Sequence, residues 1–164
     1  MSSSSFCAES APTRVAAEFY EWVIGHDGGG LPKESDLKSL KKILSTDLVY
    51  LLHASLAAEE RCAALAPRDI KPLMFEGSIF VGNYESLTKV ISLDEKKVDE
   101  KFIINARLRN SNPKDATDII DWLDSVTLIR ENDKYVISNI EYANSKRTLV
   151  KILKKYISKK ECGI

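Results

Sequence analysis

Four side chains of this sequence could take part in proton transfer. Asp121 and Asp124 lie three residues apart in the apolar segment DIIDWLDSV, His53 follows a pair of leucines, and Tyr84 belongs to an irregular stretch. Burial in an apolar pocket raises the pKa of a carboxylate toward neutrality, and an imidazole already titrates near neutrality, so either can act as a general acid or base. Each also has a structural interpretation: an aspartate on a strand can pair with an arginine of the neighbouring strand, and His53 can be a partly exposed helix residue.

Other reaction chemistries leave no recognisable pattern in the sequence. Its two histidines and three cysteines form no CxxC motif or Cys/His cluster, so a zinc site is not indicated. The glycine-rich stretch at 25–30 lacks the Lys-Ser/Thr that follows the glycines of a phosphate-binding loop. We therefore predict no catalytic residue, no metal and no cofactor, and interpret the chain as a non-enzymatic protein.

The cysteines allow one disulfide. Cys62 lies in a predicted helix and Cys162 near the C-terminal end, so a bridge between them would close a loop of roughly 100 residues and stabilise the fold by ~4 kcal/mol on the loop-entropy model. Disulfides persist in oxidising compartments, so this bridge is expected only if the protein is exported. Cys7 would then be a free thiol.

Length and charge describe an ordinary globular chain. The 164 residues fit one domain at 13–164, preceded by a small polar stretch at 1–12 that we interpret as a disordered leader or the remnant of an export signal. Lys plus Arg and Asp plus Glu both number 24, which gives no reason to expect nucleic acid or an anionic membrane as a partner. Residues 146–160 hold seven lysines and arginines and no acid, a pattern typical of a solvated helix face. No apolar run approaches the ~20 residues of a membrane span.

Hydrophobic periodicity predicts helices first and strands second. Residue 13 can cap the first helix. The strand at 118–130 is apolar on both faces and is therefore expected to be central and covered on both sides. We expect an α+β fold in which N-terminal helices pack on a curved antiparallel sheet and a C-terminal helix closes it. The predicted helices are 13–24, 35–44, 45–65 and 145–158, and the predicted strands are 87–93, 98–109, 118–130 and 135–140.

The segment 66–86 is broken repeatedly by proline and glycine and yet carries many apolar residues. Loops usually face water and are polar, so this one either packs over an opening in the core or presents apolar groups to a partner. A few buried aromatic anchors dominate the energy of an interface, which favours a protein-binding role for the loop. In that role, replacing its aromatic residues by alanine would leave stability nearly unchanged. The predicted partner-binding residues are Met74, Phe75, Glu76, Ser78, Phe80 and Tyr84.

The element order and the hairpin LIRENDKYVISNIEY at 128–142 resemble the nuclear-transport-factor-2-like (cystatin-like) superfamily, in which a strongly bent sheet wraps around N-terminal helices and leaves a conical cavity. The hairpin is similar to the superfamily's aliphatic strand, Asn-Gly-type turn and aromatic-Val-Ile strand, with Asn132-Asp133 as the turn and Tyr135 in place of the usual Trp. The superfamily contains isomerases and dehydratases that use Asp, Tyr and His inside the cone. The resemblance thus implies two alternatives to a protein binder: a cone that binds a small ligand or lipid, and an isomerase or dehydratase with a pocket carboxylate.

Two segments, EFYEWVI at 18–24 and KPLMFEGSIFVGNYES at 71–86, are similar to a family of uncharacterised bacterial envelope proteins, with Ser78 where that family commonly has Asp. Its members usually carry export signals, which implies a periplasmic location. Small exported proteins of this kind include the immunity proteins that neutralise peptidoglycan-degrading toxins of type VI secretion, by plugging a catalytic cleft. We predict such an inhibitor, with a protein partner, no membrane span and a sheet face around Trp122 that would suit a homodimer.

Overall fold

The computed structural model describes residues 10–26, 28–71, 75–83, 86–142, 145–158 and 162. Three helices precede a four-stranded antiparallel sheet in which each strand pairs with the next along the chain, and a fourth helix follows the sheet. The predicted α+β architecture, with a curved and unclosed sheet, is confirmed. The elements are α1 (Ala11–His26), α2 (Glu34–Leu40), α3 (Thr46–Leu65), β1 (Lys89–Val98), β2 (Lys101–Asn112), β3 (Asp115–Glu131), β4 (Lys134–Glu141) and α4 (Leu149–Ser158).

Helix α1 begins two residues before the predicted start. Ser10, not Thr13, occupies the capping position, and its Oγ accepts a hydrogen bond from the backbone N–H of Thr13 at 3.3 Å. Pro12 fits the first turn because the missing N–H would have no helical partner there. The hydroxyl of Thr13 instead donates to Glu95 Oε2 of β1 at 2.8 Å, which fixes the helix to the sheet. Residues 1–9 of the predicted leader lie outside the described residues.

The segment between α2 and α3 protects the edge of the sheet. The N–H of Ser45 donates to the carbonyl of Ile137 in β4, and the N–H of Ile137 donates to the carbonyl of Ile43, both at 2.8 Å. Ser45 also caps α3, because its Oγ accepts from the N–H of Leu48 at 3.2 Å. The predicted restart of the helix at Ser45 is confirmed, and the pairing satisfies backbone groups that would otherwise remain open along β4.

In the described part of the chain, the helices cover one face of the sheet. The alternation predicted for β2 is confirmed, since Ile104, Ala106 and Leu108 are all buried with the helices in one core. Strand β3 is central, as predicted, but its second face is not covered: Leu123 is 59 % exposed and Ile119 is 46 % exposed. Periodicity reports which residues share a face and not whether an element covers that face.

The turn between the first two strands lies further along the chain than the sequence pattern predicts. Strand β1 extends to Val98, and the chain turns at Asp99-Glu100, where Asp99 has a φ of 52° that Asp tolerates better than most residues. The pattern missed the second half of β1 because this half is rich in charged residues, and an edge strand exposed to water needs few apolar side chains. Trp122 lies on the inner face opposite Leu108 and is partly buried, so it does not contribute to the exposed face on which a homodimer was expected.

The predicted disulfide between Cys62 and Cys162 is present, with the Cα atoms 5.1 Å apart. It joins α3 to a residue beyond the end of α4. Cys62 and Cys162 are both buried, so the bridge extends the core toward the end of the chain. Within the described part of the chain, no helix combines the length and the apolar character needed to cross a membrane.

Candidate binding groove

The loop between α3 and β1 folds back onto the core. Ile79, Phe80 and Val81 are buried, and the Phe80 ring meets the rings of Phe19 and Trp22 edge-on, with centroids 5.6 and 5.8 Å apart. At these positions the loop covers an opening in the core, which is the first of the two sequence-based interpretations. Phe80, predicted as a partner contact, is only 2 % exposed and serves to hold the loop in place.

Polar contacts fix the same segment from both sides. The N–H of Gly82 donates to Asp124 Oδ2 at 2.7 Å, and the hydroxyl of Tyr142 donates to the carbonyl of Ile79 at 2.5 Å. The N–H of Gly30 donates to the carbonyl of Gly77 at 2.6 Å, where Gly77 has a φ of 72° that favours glycine. The loop is therefore tied to β3, to the end of β4 and to the segment after α1.

A pocket of about 260 Å³ opens beside the anchored loop. Its walls come from the loop 75–83, the connection between β4 and α4, and Ile152 of α4. Phe75, Glu76 and Ser78 line it, so the structure brings these three predicted partner-binding residues together. Met74 and Tyr84, also predicted to contact a partner, lie outside the described residues. We call this pocket and its rim the groove.

The outer part of the loop leaves a mixed surface in the groove. Phe75 is half-buried and packs on Tyr156 of α4, with the ring centroids 4.5 Å apart. Ser78 is half-buried, and its Oγ accepts from the N–H of Phe80 at 3.1 Å. The groove therefore offers an aromatic wall beside a hydroxyl, a combination suited to an amphipathic side chain.

Two opposite charges line the groove. Glu76 is exposed and pairs with Lys71 Nζ at 2.5 Å, and that hydrogen bond lowers the pKa of the Glu76 carboxyl. Arg147 is exposed, and its guanidinium forms no ion pair with a carboxylate in the described part of the chain. Sequence reasoning missed both Arg147 and Tyr142, although the acid-free run at 146–160 was the signal that could have pointed to Arg147.

The three proton-transfer candidates that the structure describes do not come together. Asp121 forms a two-bond ion pair with Arg109 across the outer sheet face, at 2.6 and 2.8 Å, which lowers its pKa. His53 is half-exposed and pairs with Glu34 at 3.0 Å. Both therefore follow their structural interpretation. Asp124 lies on the inner face, 1 % exposed, beneath the loop.

The surroundings of Asp124 are those of a structural anchor. Its Oδ2 accepts from Trp122 Nε1 at 3.0 Å in addition to the N–H of Gly82. Burial raises the pKa of the Tyr20 hydroxyl, and the charge of Asp124 raises it further. Among the described residues, no cluster of three or more His, Cys, Asp and Glu could hold a metal ion.

Comparison with known proteins yields no match for this chain, whether with protein families, with curated sequences or with solved structures.

Proposed function

We propose that this chain is an exported bacterial immunity protein, which binds and inhibits a peptidoglycan-degrading toxin delivered by type VI secretion in the periplasm. The groove would be its contact surface. One observation carries the binding role: Phe75, Glu76 and Ser78, predicted from sequence as partner contacts, line one pocket on an anchored loop. We also propose that the fold belongs to the nuclear-transport-factor-2-like superfamily, which the sequence resembles.

The anchoring of the loop favours binding to a folded partner. Gly82 and Ile79 are held by Asp124 and Tyr142, so the groove exists before a partner arrives. A preformed surface loses little conformational entropy on association. A partner side chain that enters the pocket would displace water from Phe75 and Ile152, and a few such anchors supply most of the binding energy.

The export part of the proposal is supported by the disulfide. Cys62 and Cys162 are bridged, and such bridges persist in oxidising compartments such as the periplasm. The similarity of 18–24 and 71–86 to bacterial envelope proteins points to the same compartment.

The proposal is tested by inhibition of purified toxins. The full chain is added to type VI peptidoglycan amidases and muramidases, beginning with any encoded beside its gene, and the release of soluble peptidoglycan is followed. We expect one enzyme to be inhibited at a one-to-one ratio. Phe75→Ala should weaken inhibition at least tenfold, whereas Tyr50→Ala, which removes an aromatic ring that is 70 % exposed and outside the groove, should not. Equal inhibition by both variants, or none by the wild type, would contradict the proposal.

The pocket volume favours one second candidate, the binding of a small ligand. About 260 Å³ is close to the lower end of the range for ligand pockets, ~300 Å³. A ligand that stays bound during purification would appear in native mass spectra as an added mass lost on denaturation. The mass should disappear in Phe75→Ala and persist in Tyr50→Ala.

A further inference from the structure

Arg147 is a cation in the groove that the described part of the chain leaves without an acidic partner. It lies beside Tyr142, since the N–H of Tyr142 donates to the Arg147 carbonyl at 3.3 Å and both residues line the pocket. The other charged residue of the pocket, Glu76, is neutralised by Lys71. Among the described residues that line the groove, Arg147 therefore carries the one charge without an opposite partner, and it is positive.

A wider basic surface adjoins Arg147. Four lysines accompany it on α4 and just before it, all exposed, and none is ion-paired with a described carboxylate: Lys146, Lys151, Lys154 and Lys155. The run 146–160 has seven basic residues and no acid, so the rest of the chain has 17 basic and 24 acidic residues. A neutral protein with all-positive charge on one segment attracts acidic partners to that segment.

We infer that the groove recognises an acidic segment of the partner protein, with one carboxylate side chain inserted beside Arg147 and neighbouring acids against the lysines of α4. This inference rests on the proposed protein-binding function. A guanidinium can hold a carboxylate through two parallel hydrogen bonds, which gives both strength and orientation. The methylene groups of a glutamate would pack on Ile152 and Val81, which line the same pocket.

The structure favours a protein over the other anionic partners. The apolar stripe of α4, Leu149, Leu153 and Tyr156, is buried in the protein, so this helix has no free apolar face to insert into a membrane. Single-stranded nucleic acid is bound by exposed aromatic rings set among cations, whereas Tyr156 of α4 is buried and packs on Phe75. A pocket of about 260 Å³ beside the cations suits one inserted side chain.

The test uses the full ¹⁵N-labelled chain and the peptide acetyl-Glu-Leu-Glu-Glu-Leu-Glu-amide, followed by amide chemical shifts. We expect saturable shifts confined to 75–83 and 145–155. The same peptide with Gln for Glu should bind at least tenfold more weakly, because the charge-assisted hydrogen bonds are lost. Arg147→Gln should weaken binding of the acidic peptide about tenfold or more, and Lys154→Gln, the control outside the pocket, by about twofold.

Several results would overturn the inference. These are shifts spread over the whole surface, equal binding of the Gln peptide, or unchanged binding by Arg147→Gln. Tighter binding of a twelve-nucleotide oligothymidine or of phosphatidylglycerol vesicles at the same residues would also contradict it. That result would mean that the groove recognises a nucleic acid or an anionic lipid surface and not an acidic protein. Since Arg147 is exposed, its substitution should leave the urea midpoint unchanged, and Arg147→Lys provides a second variant that keeps the charge but loses the two-bond geometry.

The toxin assay separates this inference from the proposed function. If Phe75→Ala abolishes inhibition and Arg147→Gln does not, the binding function stands and the acidic recognition fails. If no toxin is inhibited but the acidic peptide binds through Arg147, the immunity function fails and the acidic recognition stands.

Discussion

The N–H of Gly82 donates a 2.7 Å hydrogen bond to the buried carboxylate of Asp124, 42 residues further along the chain. This bond connects the loop that forms one wall of the groove to the inner face of β3. Asp124 also accepts a hydrogen bond from Trp122 Nε1 at 3.0 Å, so the carboxylate is held on both the loop and the sheet side. Asp124, which the sequence suggested as a proton-transfer group, therefore positions one wall of the groove.

Asp124→Ala should lower the free energy of unfolding by about 2–4 kcal/mol, because it removes a buried carboxylate that accepts hydrogen bonds from the Gly82 N–H and the Trp122 indole. Asp124→Asn retains an acceptor oxygen and should cost less. Urea unfolding followed by circular dichroism measures both. The exposed Asp69→Asn is the matched control and should leave the midpoint unchanged. A loss below ~0.5 kcal/mol in Asp124→Ala would show that the carboxylate does not anchor the loop.

The two phenylalanines of the loop should respond differently to alanine. Phe80 is buried against Phe19 and Trp22, so Phe80→Ala should cost about 3–5 kcal/mol. Phe75 is half-buried at the groove, and Phe75→Ala should cost clearly less while weakening partner binding. Paired thermal melts compare them. Equal losses would mean that the Phe75 ring is as much a part of the core as the Phe80 ring.

The sequence predicted that the aromatic residues of the loop could be removed without loss of stability. For Phe80 this expectation is wrong, because its ring is buried in the core. Composition marked the loop as apolar, but which ring turns inward depends on Asp124 and Tyr142, both distant in sequence. Local alternation, by contrast, identified the buried side of β2 correctly because Ile104, Ala106 and Leu108 repeat at the strand period. The exposed second face of β3 was not predictable, because covering a face requires another element and periodicity does not report one.

The thiol content tests the disulfide directly. Under denaturing, non-reducing conditions the protein should show one reactive thiol, from Cys7, because Cys62 and Cys162 are bridged. The bridge spans 100 residues, so the double variant Cys62→Ala, Cys162→Ala should be less stable by about 2–5 kcal/mol. Cys7→Ala serves as the control and should reduce the thiol count to zero. A wild-type count of three would contradict the bridge.

Two tyrosine-to-phenylalanine substitutions should have opposite effects at pH 7. The Tyr20 hydroxyl is buried without a hydrogen-bond partner among the described residues, so Tyr20→Phe should stabilise the protein by up to about 1 kcal/mol. The Tyr142 hydroxyl donates to the carbonyl of Ile79, so Tyr142→Phe should cost about 1 kcal/mol. Urea midpoints with matched slopes give both values. Destabilisation by Tyr20→Phe would indicate a partner for its hydroxyl.

Alkaline pH should destabilise the protein through the same two tyrosines. Burial raises the pKa of both hydroxyls above their ordinary value of 10.0, and the charge of Asp124 raises both further. The folded state therefore keeps these protons after the unfolded state has lost them. The free energy of unfolding therefore keeps its full value below pH 10. It falls as pH rises above 10 toward the folded pKa values, by up to about 1.4 kcal/mol per pH unit for each tyrosine.

This pH dependence is measured as urea midpoints between pH 9 and 11, in a Cys7→Ser background that prevents thiol exchange. The midpoints should fall more steeply in the parent than in the double variant Tyr20→Phe, Tyr142→Phe. Parallel slopes would show that neither hydroxyl titrates differently in the folded and unfolded states.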